Sequence, residues 1–382
     1  MIGTPLLEFL RGRREDMLAS LAALVEHESP SRDKEALDSL SQTLAARFRA
    51  HGADVERITN PTGGDHLRIA FPFEGLKPDV PPSLVLGHFD TVWPKGTLAG
   101  MPFRIDGERA YGPGTYDMKA SLVLLEYAVA ALRGLGCTPP RPIVALLTSD
   151  EEIGSPTSRD LIEADARRSA YALVLEGPLP GGRLKTGRKG VGNYTIAVEG
   201  RAAHAGVEPQ AGVNAIVEMA HQVLKIQGIA DPGRGTTLNV GVIRGGTTSN
   251  VVPAEAEAKV DVRVETLEES GRVDRAILSM QPVLPGARLK LSGGFNRPPM
   301  ERTPAIAALF QAAREIGRGL GLDLDEGSTG GASDGNFTAA IGLPTLDGLG
   351  ALGAGAHAAH EHVLVDSMHE RAALLAALLM GL

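Results

Sequence analysis

Three runs of mostly apolar residues stand out in the first half of the chain. They cover 83–87, 142–148 and 170–175. Continuous apolar runs of this length predict strands that are buried on both faces. Helical patterns lie between them, which favours a mainly parallel sheet. We therefore predict an α/β fold organised around these three strands.

Each of these strands is followed by side chains that ionise. His88 and Asp90 follow the first strand, the acids 150–152 follow the second, and Glu176 follows the third. Ligands bind at the carboxyl edge of the strands in open α/β sheets, so we predict a site there. Taken alone, each of these groups also has an interpretation without function: the histidine as a buried structural residue, and the acids as part of a solvated surface.

The HxD spacing has its own physical meaning. Residues i and i+2 of an extended chain point to the same face. His88 can therefore hold a metal while Asp90 fixes the ring and its tautomer from behind. A Gly-rich turn over 109–117 delivers a further acid, Asp117, to the start of a helix. An aspartate at that place is also a good N-cap.

The remaining periodicity completes the first part of the chain. Amphipathic spacing predicts helices over 6–27 and 34–51, and a strongly apolar helix over about 118–135. Alternation predicts strands over 54–59 and 66–72.

The pattern changes near Gly187. Strands are predicted at 189–199, 236–244, 254–265 and 287–292, and helices at 212–228 and 267–281. The order βαββαβ is that of a ferredoxin-like sandwich. Apolar helices (303–319 and 367–379) and Gly-rich loops (327–336 and 348–362) then follow. We therefore predict one domain of residues 1–186 and 297–382, interrupted by an inserted α+β domain of residues 187–296.

Composition excludes several classes of function. The chain has 382 residues, a length that suggests two domains, and a net charge of −8 without a basic block, which argues against nucleic acid as a partner. The single Cys137 rules out an internal disulfide and a Cys-based metal site. No apolar window of 18 residues and no secretory signal are visible, so we expect no membrane association and a cytoplasmic location. No strand is followed by a GxGxxG or P-loop motif, which argues against a nucleotide-binding protein.

Six motifs occur in a fixed order along the chain. They are His88-Phe-Asp90, Gly114-Thr-Tyr-Asp117-Met-Lys, Asp150-Glu151-Glu152, Glu176, Ala203-His204-Ala-Gly206 and Gly355-Ala-His357-Ala-Ala-His-Glu361. This set resembles the M20 metallopeptidases, especially the glutamate carboxypeptidase and acetylornithine deacetylase branches, over nearly the whole chain. The resemblance implies a zinc-peptidase catalytic domain with an inserted ferredoxin-like dimerisation domain, and a homodimer formed through the insertion.

The resemblance also implies two Zn²⁺ per subunit. Two neighbouring cations need a bridging carboxylate, which would be Asp117. His88 and Glu176 would bind one ion, and Glu152 and His357 the other. Imidazole and carboxylate ligands suit Zn²⁺, while Co²⁺ and Mn²⁺ are possible substitutes. The alternatives to His357 are His360 and His362, but the pattern Gly-x-His-x-x-x-Glu fits only the pair 357 and 361.

The resemblance assigns catalytic roles to Glu151, Asp90 and His204. Glu151 would take a proton from the attacking water between the metals and pass it to the leaving nitrogen. His204 would stabilise the oxyanion in the active site of the partner subunit. The alternatives without a catalytic role are that Glu151 is a surface acid and that His204 is a surface histidine. The peptide bond after Asp117 is expected to be cis.

Substrate contacts are implied for four further residues. Asn250 and Arg263 match substrate-contacting positions, although Arg263 is equally suited to an ion pair on the sheet face. Arg297, aided by the loop at Ser333, is the candidate to bind a substrate carboxylate, because a guanidinium binds that group bidentately. Arg183 and Arg188-Lys189 depart from the glutamate carboxypeptidase pattern, which leaves a preference for glutamate open.

The resulting hypothesis is a zinc-dependent amidohydrolase or carboxypeptidase that cleaves an amide bond next to a free carboxylate. Its substrate would be a small peptide or an N-acyl amino acid. The alternatives are an N-acyl-amino-acid deacylase of the acetylornithine or succinyl-diaminopimelate type, and a dipeptidase. A catalytically dead binding module is a remote alternative, because the ligand set and Glu151 are complete.

Overall fold

The computed structural model describes residues 3–76 and 79–382. The helices of this part are α1 (Gly3–Arg11), α2 (Arg14–Val25), α3 (Lys34–Ala50), α4 (Ala120–Gly134), α5 (Arg159–Ala166), α6 (Ala215–Gln227), α7 (Leu267–Leu278), α8 (Pro304–Arg318), α9 (Gly335–Ala340) and α10 (Ser367–Gly381). The strands are β1 (Asp54–Ile58), β2 (His66–Phe71), β3 (Ser83–His88), β4 (Arg104–Asp106), β5 (Arg109–Tyr111), β6 (Ile143–Thr148), β7 (Tyr171–Val174), β8 (Leu184–Arg188), β9 (Gly190–Glu199), β10 (Thr237–Gly245), β11 (Glu255–Val264), β12 (Arg288–Arg297), β13 (Glu326–Thr329), β14 (Thr345–Leu346), β15 (Gly353–Ala354) and β16 (His362–Leu364).

A six-stranded sheet in the order β1-β2-β6-β3-β7-β14 is the centre of the first part of the fold. The pairs β6–β3, β3–β7 and β7–β14 are parallel, and β1 and β2 add an antiparallel edge. The three apolar runs of the sequence are the adjacent strands β6, β3 and β7, so the predicted α/β fold with a mainly parallel sheet is confirmed.

Helices cover both faces of this sheet. On β3, Val85 belongs to the main core with α1–α4 and α10, whereas Leu84 and Leu86 pack with α5 and α9 on the other face. Helix α10 packs against α4 and α1, and both α4 and α10 are apolar nearly all round, as buried helices are. Packing on both faces therefore holds the central strands of the sheet in place.

A small second sheet in the order β15-β16-β5-β4 brings distant residues together. Strands β15 and β16 form an antiparallel hairpin, and residues 355–361 are its connecting loop. Strand β16 also pairs with β5, which leads directly into the turn that carries Asp117. This pairing places that turn beside the loop of His357.

Two predicted helices have different boundaries in the structure. The single helix expected over 6–27 is wrong, because α1 and α2 are separated at Gly12, a residue that costs about 1 kcal/mol relative to Ala inside a helix. The helix expected from 118 begins at Ala120, because Asp117 and Met118 leave the helical region of backbone dihedrals. The Asp117–Met118 peptide bond is cis, as expected.

Other differences concern short strands. Strands β8 and β13, which pair with each other, were not predicted, and β15 lies in the expected Gly-rich loop. These segments are too short to show a clear alternation of apolar and polar residues. Among the described residues, none of the helices is both long and apolar enough to cross a membrane.

The chain contacts divide the protein into two compact units. The first is Met1–Gly187, Arg302–Thr329 and Ser333–Leu382, and the second is Arg188–Glu301 and Gly330–Ala332. The second unit has an antiparallel sheet in the order β10-β11-β9-β12 with α6 and α7, which is the expected βαββαβ arrangement. Alternate residues of β9 and β11 form its separate core. The predicted domains, residues 1–186 with 297–382 and the inserted residues 187–296, stay a prediction.

Candidate metal centre

Acidic and imidazole side chains meet at the carboxyl edge of the central sheet. His88 is in register with Thr148, and Leu86 with Val174, so the three parallel strands end at nearly the same level. The residues that follow them are therefore neighbours in space. This is the edge at which the sequence predicted a site.

Asp117 lies at the centre of this group. Its Oδ1 is 3.1 Å from Nε2 of His88, and its Oδ2 is 3.4 Å from Nε2 of His357. The same nitrogen of His88 is 3.6 Å from a carboxylate oxygen of Glu176, and that of His357 is 3.2 Å from one of Glu152. One carboxylate thus stands between two pairs, each made of an imidazole and a carboxylate.

The ring of His88 is held through its other nitrogen. Its Nδ1 is 3.0 Å from the carbonyl oxygen of Asp90 and 3.4 Å from the carboxylate of the same residue. The carbonyl accepts only, so Nδ1 carries a proton, and Nε2 is the ring nitrogen that faces Asp117 and is placed to bind a metal. The residue that fixes the tautomer is the predicted one, but the nearer oxygen belongs to its backbone.

The carboxylate of Asp90 has a second task that the sequence did not suggest. Its two oxygens accept the backbone N–H groups of Glu151 and Glu152, each at 3.2 Å. Asp90 is completely buried. It therefore connects the loop after β6 to the end of β3.

The three acids of this loop face different ways. Asp150 points inward and accepts hydrogen bonds from the backbone and hydroxyl of Thr157 and from the hydroxyl of Ser158, at 2.6–2.7 Å. Oε1 of Glu152 is buried and has no hydrogen-bond partner within the described part of the chain. An unsatisfied buried carboxylate oxygen is costly unless a cation or a donor reaches it.

His357 reaches the group from the loop between β15 and β16. Its backbone is in the left-handed region, with φ 62°, which is uncommon for a residue with a side chain. The ring of His362 instead packs against Tyr111, with centroids 5.3 Å apart. Of these two histidines, His357 is the one placed beside Asp117.

The charges of the group explain its shifted pKa values. Burial raises the pKa of Glu152 to about 7. Hydrogen bonds with Asp117 and Glu152 raise the pKa of His357 to about 10. Burial opposes ionisation of Asp117, but its two histidine partners hold its pKa below the usual range. The cluster is therefore rich in negative charge and stabilises positive charge placed within it.

The donor set fits divalent cations. Ligand atoms of His88, Asp117 and Glu152 lie within 4.8 Å of one another, and so do those of His88, Glu151 and Glu176. Neutral imidazole and carboxylate oxygens are ligands of Zn²⁺. The orphaned oxygen of Glu152 lacks the partner that such an ion would supply.

Most of the other residues singled out in the sequence belong to the second unit. His204, Asn250, Arg263 and Arg297 belong to the second unit. The guanidinium of Arg263 makes two 2.9 Å hydrogen bonds to Asp261, which is the sheet-face ion pair given as its alternative.

Arg297 and Ser333 are both buried. Arg297 ends β12, at 5% exposure. Ser333 belongs to the first unit, where its hydroxyl donates to Asp347 and accepts from the backbone of Gly335. Their contacts with substrate stay predictions.

Two residues near the group were missed as site residues. Glu361 is the last residue of the motif that contains His357, and Trp93 follows Asp90 by three positions. Glu361 accepts hydrogen bonds from the backbone of Gly114 and Asp117, and the indole of Trp93 donates a hydrogen bond to Glu361. The available signal was the fixed spacing between Glu361 and His357.

The chain is similar to known proteins in sequence and in structure. The family model described as "Peptidase family M20/M25/M40" matches residues 84–381. Carboxypeptidase G2 of Pseudomonas sp. (strain RS-16) is 31% identical over 376 residues, covering 96% of this chain and 89% of that protein. Succinyl-diaminopimelate desuccinylase of Dechloromonas aromatica is 29% identical over 307 residues, covering 75% and 80%.

Solved structures show the same fold. Aminopeptidase PepT from Bacillus cereus matches with a TM-score of 0.78 at 22% identity, covering 96% of this chain and 98% of that chain. An M20 family metallo-carboxypeptidase from Sulfolobus solfataricus matches with a TM-score of 0.75 at 18% identity, covering 96% and 98%.

The role of Asp90 as a link between two loops can be tested by Asp90→Asn. The amide group places a donor where one backbone N–H needs an acceptor. Losing a hydrogen bond to a charged group costs about 1.5–3 kcal/mol, so we expect amide hydrogen exchange over 149–155 to accelerate about 10-fold or more. The measurement is hydrogen exchange by mass spectrometry on protein treated with chelator.

The control is Asp106→Asn, which removes a charge from an exposed strand residue. It should leave exchange over 149–155 unchanged. Equal exchange of this segment in wild type and Asp90→Asn would contradict the proposed link, and acceleration over β6 as well would indicate general unfolding.

Proposed function

This chain belongs to peptidase family M20/M25/M40 and is a hydrolase, and we propose that it uses two zinc ions to cleave an amide bond next to a free carboxylate. The family is metal-dependent, and this chain has candidate metal ligands. The observation that carries the proposal is the half-buried carboxylate of Asp117 between two pairs of imidazole and carboxylate groups.

The proposed ligand sets follow these contacts. Asp117 would bridge both ions, His88 and Glu176 would complete one site, and Glu152 and His357 the other. When bound there, two divalent ions would supply Lewis-acid polarisation of the scissile carbonyl and a lower pKa for the attacking water. Zn²⁺ is our choice from the mixed nitrogen and oxygen donors, with Co²⁺ and Mn²⁺ as substitutes.

Glu151 is the proposed general base. A carboxylate oxygen of Glu151 lies within 4.8 Å of ligand atoms of His88 and Glu176, while its backbone N–H is held by Asp90. In this position it takes a proton from the attacking water and passes it to the leaving nitrogen. Asp90 supports both steps by orienting His88 and the loop of Glu151.

The substrate class rests on the relatives. Carboxypeptidase G2 matches over nearly the whole chain, which favours a carboxypeptidase or a related amidohydrolase. The similarity to succinyl-diaminopimelate desuccinylase keeps an N-acyl-amino-acid deacylase as the second candidate. A dipeptidase is the third, because human carnosine dipeptidase 1 shares the fold.

Substrate contacts in the second unit are also proposed. Arg297, aided by the loop at Ser333, would bind the substrate carboxylate, and Asn250 would contact the substrate. Arg263 is a weaker candidate, because Asp261 already neutralises its guanidinium.

A homodimer through the second unit is proposed from its exposed apolar residues. Strand β10 is an edge strand, and its Ile243 is 57% exposed. Helix α6 of the same unit exposes Ile216, Val217 and Leu224. An edge strand with exposed apolar side chains favours pairing with a second copy.

We retain a cytoplasmic location as a prediction from the sequence.

His204 has the tautomer that an oxyanion donor needs. Its Nδ1 accepts the backbone N–H groups of Gly206 and Val207 at 3.1 and 3.2 Å, so Nε2 carries the proton. The residue is exposed and lies in the second unit. We propose that this Nε2–H group stabilises the oxyanion in the active site of the partner subunit.

Metal content tests the ligand assignment. Protein stripped with chelator and then titrated with Zn²⁺ or Co²⁺ should bind close to two ions per chain, because the ligands form two sets around one bridging carboxylate. Elemental analysis after removal of free ion gives the ratio. A stable ratio of one ion per chain under excess metal would rule out the two-ion site.

Glu151→Gln tests the proposed reaction. The variant should keep both ions but lose about 10²-fold or more in kcat, because the amide cannot accept the proton of the attacking water. Turnover is measured on a panel of C-terminal glutamyl, N-acetyl, N-succinyl and dipeptide substrates, with zinc-loaded and chelated enzyme. Glu163→Gln is the control, since Glu163 lies on α5 in ion pairs with arginines.

The panel separates the candidate functions. Preference for one class of substrate assigns the reaction, and chelator should abolish it. Zinc-loaded wild type without activity on any member would favour a binding protein. Glu151→Gln with both ions and near wild-type turnover would show that another group is the base.

Action of His204 in the partner's site is tested by mixing two inactive variants. Heterodimers of Glu151→Gln and His204→Ala contain one site with both defects and one site with neither. After complete subunit exchange, about a quarter of wild-type activity should return, because half of the dimers are mixed and each has one intact site. Each variant exchanged with itself is the control. Proven exchange without returning activity, or a fully active monomer, would contradict the proposal.

A further inference from the structure

We propose that Glu361 is a positioning residue that fastens the turn of Asp117 to the loop of His357, and so sets the spacing between the two groups of metal ligands. This inference rests on the proposed function, because it takes Asp117 and His357 as ligands. The role concerns geometry and affinity for metal, and Glu361 itself would contact neither ion nor substrate.

All acceptor positions of the Glu361 carboxylate are occupied by donors. Its Oε1 accepts the backbone N–H groups of Tyr116 and Asp117 at 2.9 and 3.0 Å. Its Oε2 accepts the backbone N–H of Gly114 at 3.0 Å and the indole N–H of Trp93 at 2.8 Å. A carboxylate has about four lone-pair sites, so this one has none to offer an ion. Glu361 thus differs in kind from Glu152, which has an orphaned oxygen.

The turn needs an acceptor of this kind. Residues 115–119 form one wide, irregular turn, and Asp117 has φ −120° and ψ 89° within it. Glu361 accepts hydrogen bonds from the backbone N–H groups of Tyr116 and Asp117 in this turn, and from that of Gly114 just before it. A buried N–H without an acceptor destabilises the fold, because it loses its hydrogen bond to water. One buried carboxylate satisfies all three.

Glu361 is also part of the loop that carries His357. Its own N–H donates to the carbonyl of Ala358 at 2.8 Å, which closes the loop upon itself. The next residue begins β16, whose pairing with β5 fixes the base of the loop. The side chain that holds Asp117 and the ring that faces Asp117 therefore belong to one short segment. Because of this connection, the bridging carboxylate and the imidazole shift together.

The test is Glu361→Gln, with affinity for zinc as the readout. The amide has the shape of the carboxylate, but its NH₂ group cannot accept, so the two donors on that side lose their partner. Losing a group that orients metal ligands typically costs about 10–100-fold in affinity, and we expect a loss in this range. Zinc-loaded protein is titrated with a chromophoric chelator, and the dissociation constants of wild type and variant are compared.

Two controls separate positioning from general stability. Glu126→Gln makes the same change at another buried carboxylate of the first unit, which is held by Arg47 and His51. It should lower the unfolding temperature without changing affinity for zinc. Trp93→Phe removes one of the four donors and keeps the carboxylate, so its affinity should stay close to that of wild type.

A second readout uses chelated protein and needs no metal. In Glu361→Gln, exchange should accelerate at Gly114 or at Tyr116 and Asp117, according to the side that the NH₂ group occupies, and all three amides should stay unchanged in Glu126→Gln. If wild type fails to hold two ions, the proposed function fails, while this exchange still decides whether Glu361 holds the turn. If Glu361→Gln does not fold, Glu361→Asp keeps the charge but withdraws it by one methylene group, and the same direction is expected.

The outcomes are distinct. Weaker zinc binding and faster exchange in the variant, with both controls near wild type, support the positioning role. Unchanged affinity and unchanged exchange overturn it, and so does an equal loss of affinity in Glu126→Gln.

Discussion

The structure depends on the concentration of negative charge at one edge of the central sheet. Carboxylates of Asp117, Glu152 and Glu176 converge there with the rings of His88 and His357. Like charges in a partly dry place repel one another unless cations or protons lie between them. Asp117 has a lowered pKa because an imidazole stands on each side of it, whereas buried Glu152 has a raised one. Close approach of these groups is unfavourable unless the surrounding fold enforces it.

Buried carboxylates around the cluster supply that enforcement by accepting backbone N–H groups. Asp90 holds the backbone of Glu151 and Glu152, and Asp150 holds the chain at Thr157. Glu361 does the same for the turn of Asp117. In each case the loop is irregular, so its N–H groups lack the acceptors of a helix or a sheet. Acidic residues thus serve two purposes here: some face the centre, and others hold the loops that present them.

The second unit has its own core and an exposed edge strand. Its ferredoxin-like sheet buries one face against α6 and α7, while β10 remains an edge with exposed apolar side chains. His204 is exposed in this unit, with its tautomer set by two backbone N–H groups. The proposed oxyanion donor thus belongs to one unit, whereas the candidate metal ligands belong to the other.

The sequence alone determined the sheet, the positions of the candidate metal ligands and the order of elements in the second unit. These are local properties: apolar runs give strands, alternation gives half-buried strands, and ionisable residues directly after a buried strand lie at its end. The motif spacing identified His357 rather than His362. Tertiary structure decided what local patterns cannot carry. It alone shows that the carboxylate of Asp90 receives two backbone N–H groups 61 and 62 residues away, and that Glu361 reaches the turn of Asp117 across 244 residues. It also divides the first helix at Gly12 and pairs Arg263 with Asp261. Such contacts depend on which loops the folded core brings together, and no short-range periodicity encodes that distance.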